Sequence, residues 1–140
     1  MDIADHLKAI KPSYIREILS DARAEGIISL AGGLPAPTLF PREMLREAMA
    51  FTAQLSGVFQ YGETQGYGPL LEYCEAHYSL PSNHAALVCT GSQQAIDLIA
   101  RAYLNPGDGV AMEAPTYLGA LQVFELQQAR IESVPQLEHG

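Results

Sequence analysis

The residues with the clearest chemical potential are Gly91, Ser92 and Gln93, inside the run Leu87-Val88-Cys89-Thr90-Gly91-Ser92-Gln93-Gln94-Ala95-Ile96-Asp97-Leu98-Ile99. An apolar stretch that breaks at a glycine and resumes with Ala95, Ile96, Ile99 and Tyr103 at helical spacing predicts a strand, a tight turn and a helix. Ser92 is read as the helix N-cap. Such a turn aims unpaired backbone N–H groups and the positive end of the helix dipole at one spot beyond the strand. An anion, typically a phosphate, is the natural occupant. The plainer reading is a strand–helix connection with no ligand, so the signal takes its weight from its surroundings.

Three further positions carry a functional and a bland reading side by side. Gly33, in Ala31-Gly32-Gly33-Leu34-Pro35-Ala36-Pro37, belongs to a fixed loop that glycines and spaced prolines keep out of helix and strand. It is either a connector or a place where backbone approaches a ligand closely. Tyr61 lies in a glycine- and tyrosine-dense loop and Tyr117 follows Pro115 at a helix start. Either tyrosine serves packing equally well on local evidence.

The elements that must position these residues alternate in the second half of the chain. After a strand at residues 87–90 and a helix at 92–104, Asn105-Pro106-Gly107-Asp108 makes a turn, and residues 109–112 form a second buried-type strand. Pro115-Thr116-Tyr117 opens a helix carrying Leu118, Leu121, Phe124 and Leu126, and residues 129–134 make a third strand. Alternating strands and helices predict βαβ units in a largely parallel sheet. The first half reads as helices: one from Ser13 with Ile15, Ile18, Leu19 and Ala22 to Gly26, one from Pro41 with Leu45, Ala48, Met49 and Thr52, and one from Pro69 with Leu70, Leu71, Cys74, His77 and Tyr78.

Composition narrows the function classes. A chain of 140 residues buries a sizeable core. A net charge of −8 argues against a nucleic-acid surface, which needs clustered Lys and Arg. No apolar run has the length of a membrane span and the start lacks signal-peptide character, so the cytoplasm is the expected location. Cys74 and Cys89 are expected as reduced, buried residues, and the scattered His6, His77, His84 and His139 lack metal-ligand spacing.

Five spaced blocks then fit one pattern: Ile28-Ser29-Leu30-Ala31-Gly32-Gly33-Leu34-Pro35; Gln60-Tyr61-Gly62 with Gly66-Tyr67; Thr90-Gly91-Ser92-Gln93-Gln94-Ala95; Asn105-Pro106-Gly107-Asp108; and Glu113-Ala114-Pro115-Thr116-Tyr117. Together they resemble the amino-terminal part of class I/II aminotransferases, fold-type I enzymes dependent on pyridoxal 5′-phosphate. The nearest likeness is to the 2-aminoadipate and kynurenine aminotransferase group, whose catalytic domain is shared by MocR-type transcription regulators. The resemblance implies an α/β fold: the first part of a three-layer αβα large domain with an incomplete sheet, preceded by an N-terminal helical arm. Residues 1–40 would be the arm and a small-domain and substrate-loop segment, and 41–140 the first part of the large cofactor-binding domain, truncated at its carboxyl end.

By the same resemblance Gly91, Ser92 and Gln93 hold the cofactor phosphate. Tyr117 lies against the pyridine ring. Tyr61 reaches across a homodimer interface to the neighbouring subunit's cofactor, and Gly33 belongs to the loop that closes near an amino acid or 2-oxo acid substrate. No catalytic residue is assigned. The only lysines, Lys8 and Lys11, match the arm, so the Schiff-base lysine is not among them, and the chain alone is expected to be inactive. Asp97 and Asp108 sit in the wrong elements to pair with the pyridinium, and Arg101 and Arg130 are expected to be solvated. The turn between Leu80 and Leu87 is a few residues shorter than the family's. Without the later strands of that sheet, the strand at 87–90 lacks its neighbour. The alternatives are a regulatory domain that binds pyridoxal phosphate and a non-catalytic remnant.

Overall fold

The computed structural model describes residues 2–8, 18, 26–28, 30 and 33–137. The helix expected between Ser13 and Gly26 lies almost wholly outside them, as do Lys11, Gly32 and His139. The described elements are α1 (Asp5–Lys8), a 3₁₀ turn (Pro37–Leu39), α2 (Arg42–Thr52), α3 (Gly68–His77), α4 (Ser92–Tyr103), β1 (Gly109–Ala114), α5 (Leu118–Leu126) and β2 (Arg130–Pro135). They fall into two units, Met1–Ile10 with Glu63–Gly140, and Lys11–Gly62.

The larger unit is organised by one βαβ crossover. β1 and β2 pair in parallel, from Gly109 opposite Arg130 to Ala114 opposite Pro135. Parallel neighbours cannot be joined by a tight turn, and α5 supplies the crossover. This helix packs on α4 and on β2. Ala100 of α4 with Ala120 and Val123 of α5 are the buried apolar residues among those described. Two of the three are alanines, which let helix surfaces approach closely. Half-buried Ile96, Val110, Met112, Leu121, Phe124 and Ile131 extend this core.

The turn before β1 is closed by Asp108. Its Oδ2 accepts from Asn105 N (2.7 Å) and Asn105 Nδ2 (3.2 Å), and its carbonyl accepts from Arg130 N–H (2.8 Å) at the start of β2. Gly107 N–H donates to Gln128 O (2.8 Å). The Asn-Pro-Gly-Asp block therefore ties the end of α4 to the sheet. Behind α3, a Glu75 carboxylate oxygen accepts from Ala86 N–H (3.2 Å), drawing the 81–86 turn back onto that helix.

Three expectations need correction. Residues 87–90 are not a strand. Their one external backbone bond is Val88 N–H to Gln65 O (2.8 Å), in a loop, because the two strands of the sheet pair with each other. A strand exists only through its partner, and an apolar sequence cannot supply one. Second, the buried face of α4 runs through Ala95, Ile96 and Ala100, while Ile99 and Tyr103 are 59% and 79% exposed. Among the described elements α5 is the main neighbour of this helix, and the side of its apolar stripe at Ile99 and Tyr103 stays open. Third, on α3 the half-buried positions are Leu71, Cys74 and Glu75, whereas Leu70, His77 and Tyr78 are exposed. His77 instead stacks against Tyr73 at 5.5 Å and meets Tyr78 edge-on at 4.9 Å. Cys74 and Cys89 are both free and half-buried.

The smaller unit is described by α2 and its flanks. Pro41 stands at the N-cap with φ −77° and ψ 71°, and no residue of α2 is buried. Leu45 and Met49 are exposed. Among the described residues no helix is long and apolar enough to cross a membrane, and no cluster of His, Cys, Asp or Glu is placed to hold a metal.

So few buried side chains among the described residues, with large apolar groups open along α4 and residues 87–88, offer little against the conformational entropy of folding. We expect residues 1–140, expressed alone, to unfold over a broad range and to self-associate. A sharp two-state melting transition from a soluble monomer, seen by calorimetry with sedimentation, would contradict this.

Candidate functional site

The site is built at the start of α4. Gly91 occupies the N-cap with φ 83° and ψ 172°, a backbone region that is essentially restricted to glycine. This turns the chain sharply out of residues 87–90 and into the helix. Ser92, expected as the N-cap, is the first helical residue instead, and no side chain caps the helix. The reason is geometric: the N-cap must be non-helical, and only the glycine tolerates the required φ.

The first bond closing onto this turn is Ala95 N–H to Gly91 O (3.3 Å). The N–H groups of Ser92, Gln93 and Gln94 find no acceptor among the described residues. The first turn of α4 carries no acidic side chain to repel an anion. Three open donors at the positive end of a 12-residue helix make a cup that suits an anion.

Two glutamine side chains tie this cup to its neighbours. Gln94 reaches back so that its Oε1 accepts from both Thr90 N–H and Thr90 Oγ1, the latter at 2.8 Å. Gln93 reaches forward: Tyr117 Oη donates to Gln93 Oε1 (3.0 Å), and Gln93 Nε2 donates to Gly119 O (2.9 Å). Tyr117 is the N-cap of α5, and the residue remains 58% exposed, which leaves its ring open to a ligand. A Cβ on Gly119 would lie 2.6 Å from Gln93 Oε1 and from Tyr117 Cζ and Oη. The missing side chain at 119 is what lets the ring and the amide meet there.

The structure thus brings Gly91, Ser92, Gln93 and Tyr117 together. Gly33, with φ 57°, and the fully exposed Tyr61 belong to the smaller unit. Sequence reasoning missed Gln94 and Gly119 as structural partners of the site. A Gln three residues into a helix from its cap is the signature of a side chain that reaches back, and an isolated Gly in a helical pattern signals close approach.

The charged residues considered for other roles are engaged locally. Asp97 pairs with Arg101 (2.9 Å) and Arg130 with Glu132 (2.8 Å), and Asp108 closes its turn. Arg101 also lines a cleft of about 410 Å³ with His6, Leu7 and Pro106, at the opposite end of α4 from the cup.

An open helix N-terminus beside a tyrosine ring, carried next to a βαβ crossover, defines an α/β domain suited to a ligand with an anionic group and a flat ring. The family profile for aminotransferase class I and II matches residues 27–139, and the chain belongs to that family. It is 44% identical over 133 residues to the 2-aminoadipate transaminase of Thermus thermophilus, covering 94% of this chain and 33% of that protein. To aromatic-amino-acid aminotransferase 1 of Thermococcus litoralis it is 41% identical, again covering 94% of this chain and 33% of the other. Among solved structures, kynurenine aminotransferase from Pyrococcus horikoshii, in complex with PMP, superimposes with a TM-score of 0.85 at 38% identity, over 99% of this chain and 36% of that one. The α-aminoadipate aminotransferase of Thermus thermophilus, complexed with N-(5′-phosphopyridoxyl)-L-leucine, gives a TM-score of 0.79 at 40% identity, over 99% and 34%.

The chain spans about a third of the length of the curated relatives it matches. These likenesses bear out the expected fold class, an amino-terminal part of the fold-type I aminotransferase architecture, here with a two-stranded sheet. The family's cofactor is pyridoxal 5′-phosphate. The residues present fit it: the uncapped N–H groups suit the phosphate and the open face of Tyr117 suits the ring.

Replacing Gly91 by Ala forces a side chain into its glycine-only conformation and is expected to cost about 1–3 kcal/mol in the full natural polypeptide that carries residues 1–140. Gly62, with ordinary φ and open space at its Cβ, is the control and should tolerate Ala within about 0.5 kcal/mol. Urea unfolding midpoints compare the two, and equal shifts would count against the geometry at Gly91.

Proposed function

We propose that residues 1–140 supply the phosphate cup and the ring-facing wall of a pyridoxal 5′-phosphate-dependent aminotransferase, which moves an amino group from an amino acid to a 2-oxo acid. The observation that carries this reading is the uncapped start of α4 with Tyr117 held against it through Gln93. When bound, the cofactor supplies the electron sink that lets the amino group leave one substrate and join another.

This chain's own residues bind and orient. The Ser92, Gln93 and Gln94 N–H groups and the Ser92 hydroxyl would hold the phosphate, each charge-assisted bond contributing roughly 1.5–3 kcal/mol. The helix dipole adds up to about 1 kcal/mol. Tyr117 would lie against the pyridine ring and keep water from that face. Anchoring at the phosphate leaves the reacting end of the cofactor free, while the ring wall limits its tilt.

The remaining assignments belong to the same proposal. Tyr61, with its side chain fully exposed, would reach the cofactor phosphate of a second copy in a homodimer, and Gly33 would sit in the loop near the substrate. Residues 1–40 would act as arm and substrate-loop segment and residues 41–140 as the first part of the cofactor domain. Lys8 and Lys11, in the arm, would not bond the cofactor, so residues 1–140 alone would not transaminate. The cytoplasm is the proposed location.

The experiment is cofactor binding by the full natural polypeptide. Ser92→Ala is expected to weaken pyridoxal 5′-phosphate about tenfold, or about 1.4 kcal/mol, measured by equilibrium dialysis. Failure of the unsubstituted protein to bind the cofactor, or to transfer an amino group between any amino acid and 2-oxo acid tried, would overturn the reading.

A further inference from the structure

We infer that the Gln93 side chain is a positioning group for the Tyr117 ring, and that only its backbone N–H faces the phosphate. The inference rests on the cofactor reading above and deepens it. The amide of Gln93 is committed at both ends. Its Oε1 accepts from Tyr117 Oη at 3.0 Å and its Nε2 donates to Gly119 O at 2.9 Å. One donor hydrogen of the amide remains, and it is held by the same orientation.

Tyr117 needs such a device because little else holds it. The residue is 58% exposed, and exposed tyrosines sample several rotamers. At Gly119 a Cβ would fall 2.6 Å from the phenol and from the amide oxygen, so the ring lies directly over the first turn of α5. Packing on the bare backbone of Gly119 and the hydrogen bond to Gln93 fix the ring before any ligand arrives. A ring ordered in advance spares a ligand the entropy of ordering it. The link also couples the two halves of the site, since Gln93 belongs to the anion cup through its backbone and to the ring wall through its side chain.

The two roles for Gln93 separate with two probes. Inorganic phosphate occupies the cup alone. Pyridoxine 5′-phosphate carries the same phosphate and the ring but no aldehyde, so it binds without bonding to any lysine. Both are titrated by calorimetry into the full natural polypeptide stripped of cofactor.

Gln93→Leu and Tyr117→Phe are each expected to weaken pyridoxine 5′-phosphate about five- to tenfold while leaving inorganic phosphate within about twofold. The double variant should be no worse than either single one, because both cut the same link. Tyr117→Phe keeps the ring and the fold, so it decides the matter even where Gln93→Leu proves unstable. Gly119→Ala, which displaces only the far ends of the two side chains, should reproduce the same loss.

Equal weakening of both probes by Gln93→Leu would make the side chain a direct phosphate ligand and overturn the inference alone. Additive losses in the double variant, or no loss for the ring-bearing probe, would overturn it as well. Binding of neither probe by the unsubstituted protein would overturn the cofactor reading and this inference with it.

Discussion

The whole site depends on three backbone N–H groups left open at the start of α4. A buried or ligand-facing donor without an acceptor is costly, and helices normally satisfy their first turn with a Ser, Thr, Asp or Asn side chain. Here the cap is Gly91, whose positive φ makes the turn and which has no side chain to fill the cup. The same residue sets the direction of α4, so the geometry of the anion site and the packing of the helix cannot be varied separately.

From that point outward, the fold serves to bring a second element alongside. α4 packs on α5, and the buried residues of the two helices are small: Ala100 on one, Ala120 and Val123 on the other. Close approach of the two helices is what allows a tyrosine at the N-cap of α5 to touch a glutamine in the first turn of α4. β1 and β2 fix where α5 begins and ends, since the parallel ladder sets the length of its crossover. The Asp108 turn, bonded to Arg130 at the start of β2, holds the return from α4 to the sheet. Larger residues at positions 100 and 120 would move the helices apart before they touched any residue of the site.

Much of this was legible in the sequence, for identifiable physical reasons. The α4, β1, α5 and β2 order follows from periodicity and from strong stop signals at Gly91, Asn105-Pro106-Gly107 and Pro115, and the observed bounds lie close to the expected ones. The grouping of Gly91, Ser92, Gln93 and Tyr117 was likewise expected, though only the resemblance to a family placed Tyr117 beside the other three. What was not legible depends on contacts. Residues 87–90 have the composition of a strand, but composition does not provide a partner, and they join no ladder. The exposed side of α4, at Ile99 and Tyr103, has the spacing of a buried stripe, and spacing does not say whether anything covers it. Cap preference ranks side chains and so points to Ser92, whereas the φ at residue 91 puts the cap one position earlier.

The choice of glutamine at positions 93 and 94 follows from the same constraint. An Asp or Glu there could accept the hydrogen bonds that Thr90 and Tyr117 donate, yet it would place a negative charge beside the cup and oppose an anion at short range. Lys or Arg would favour the anion but could accept nothing from Thr90 or Tyr117. A neutral amide is the side chain that accepts and donates without altering the charge of the site. Helix stability is given up at Gly91 to keep the donors open, and the two amides restore order to the turn from opposite sides, Gln94 toward Thr90 and Gln93 toward Tyr117. The cup stays both rigid and unfilled because the residues that brace it carry no charge and the residue that caps it carries no side chain.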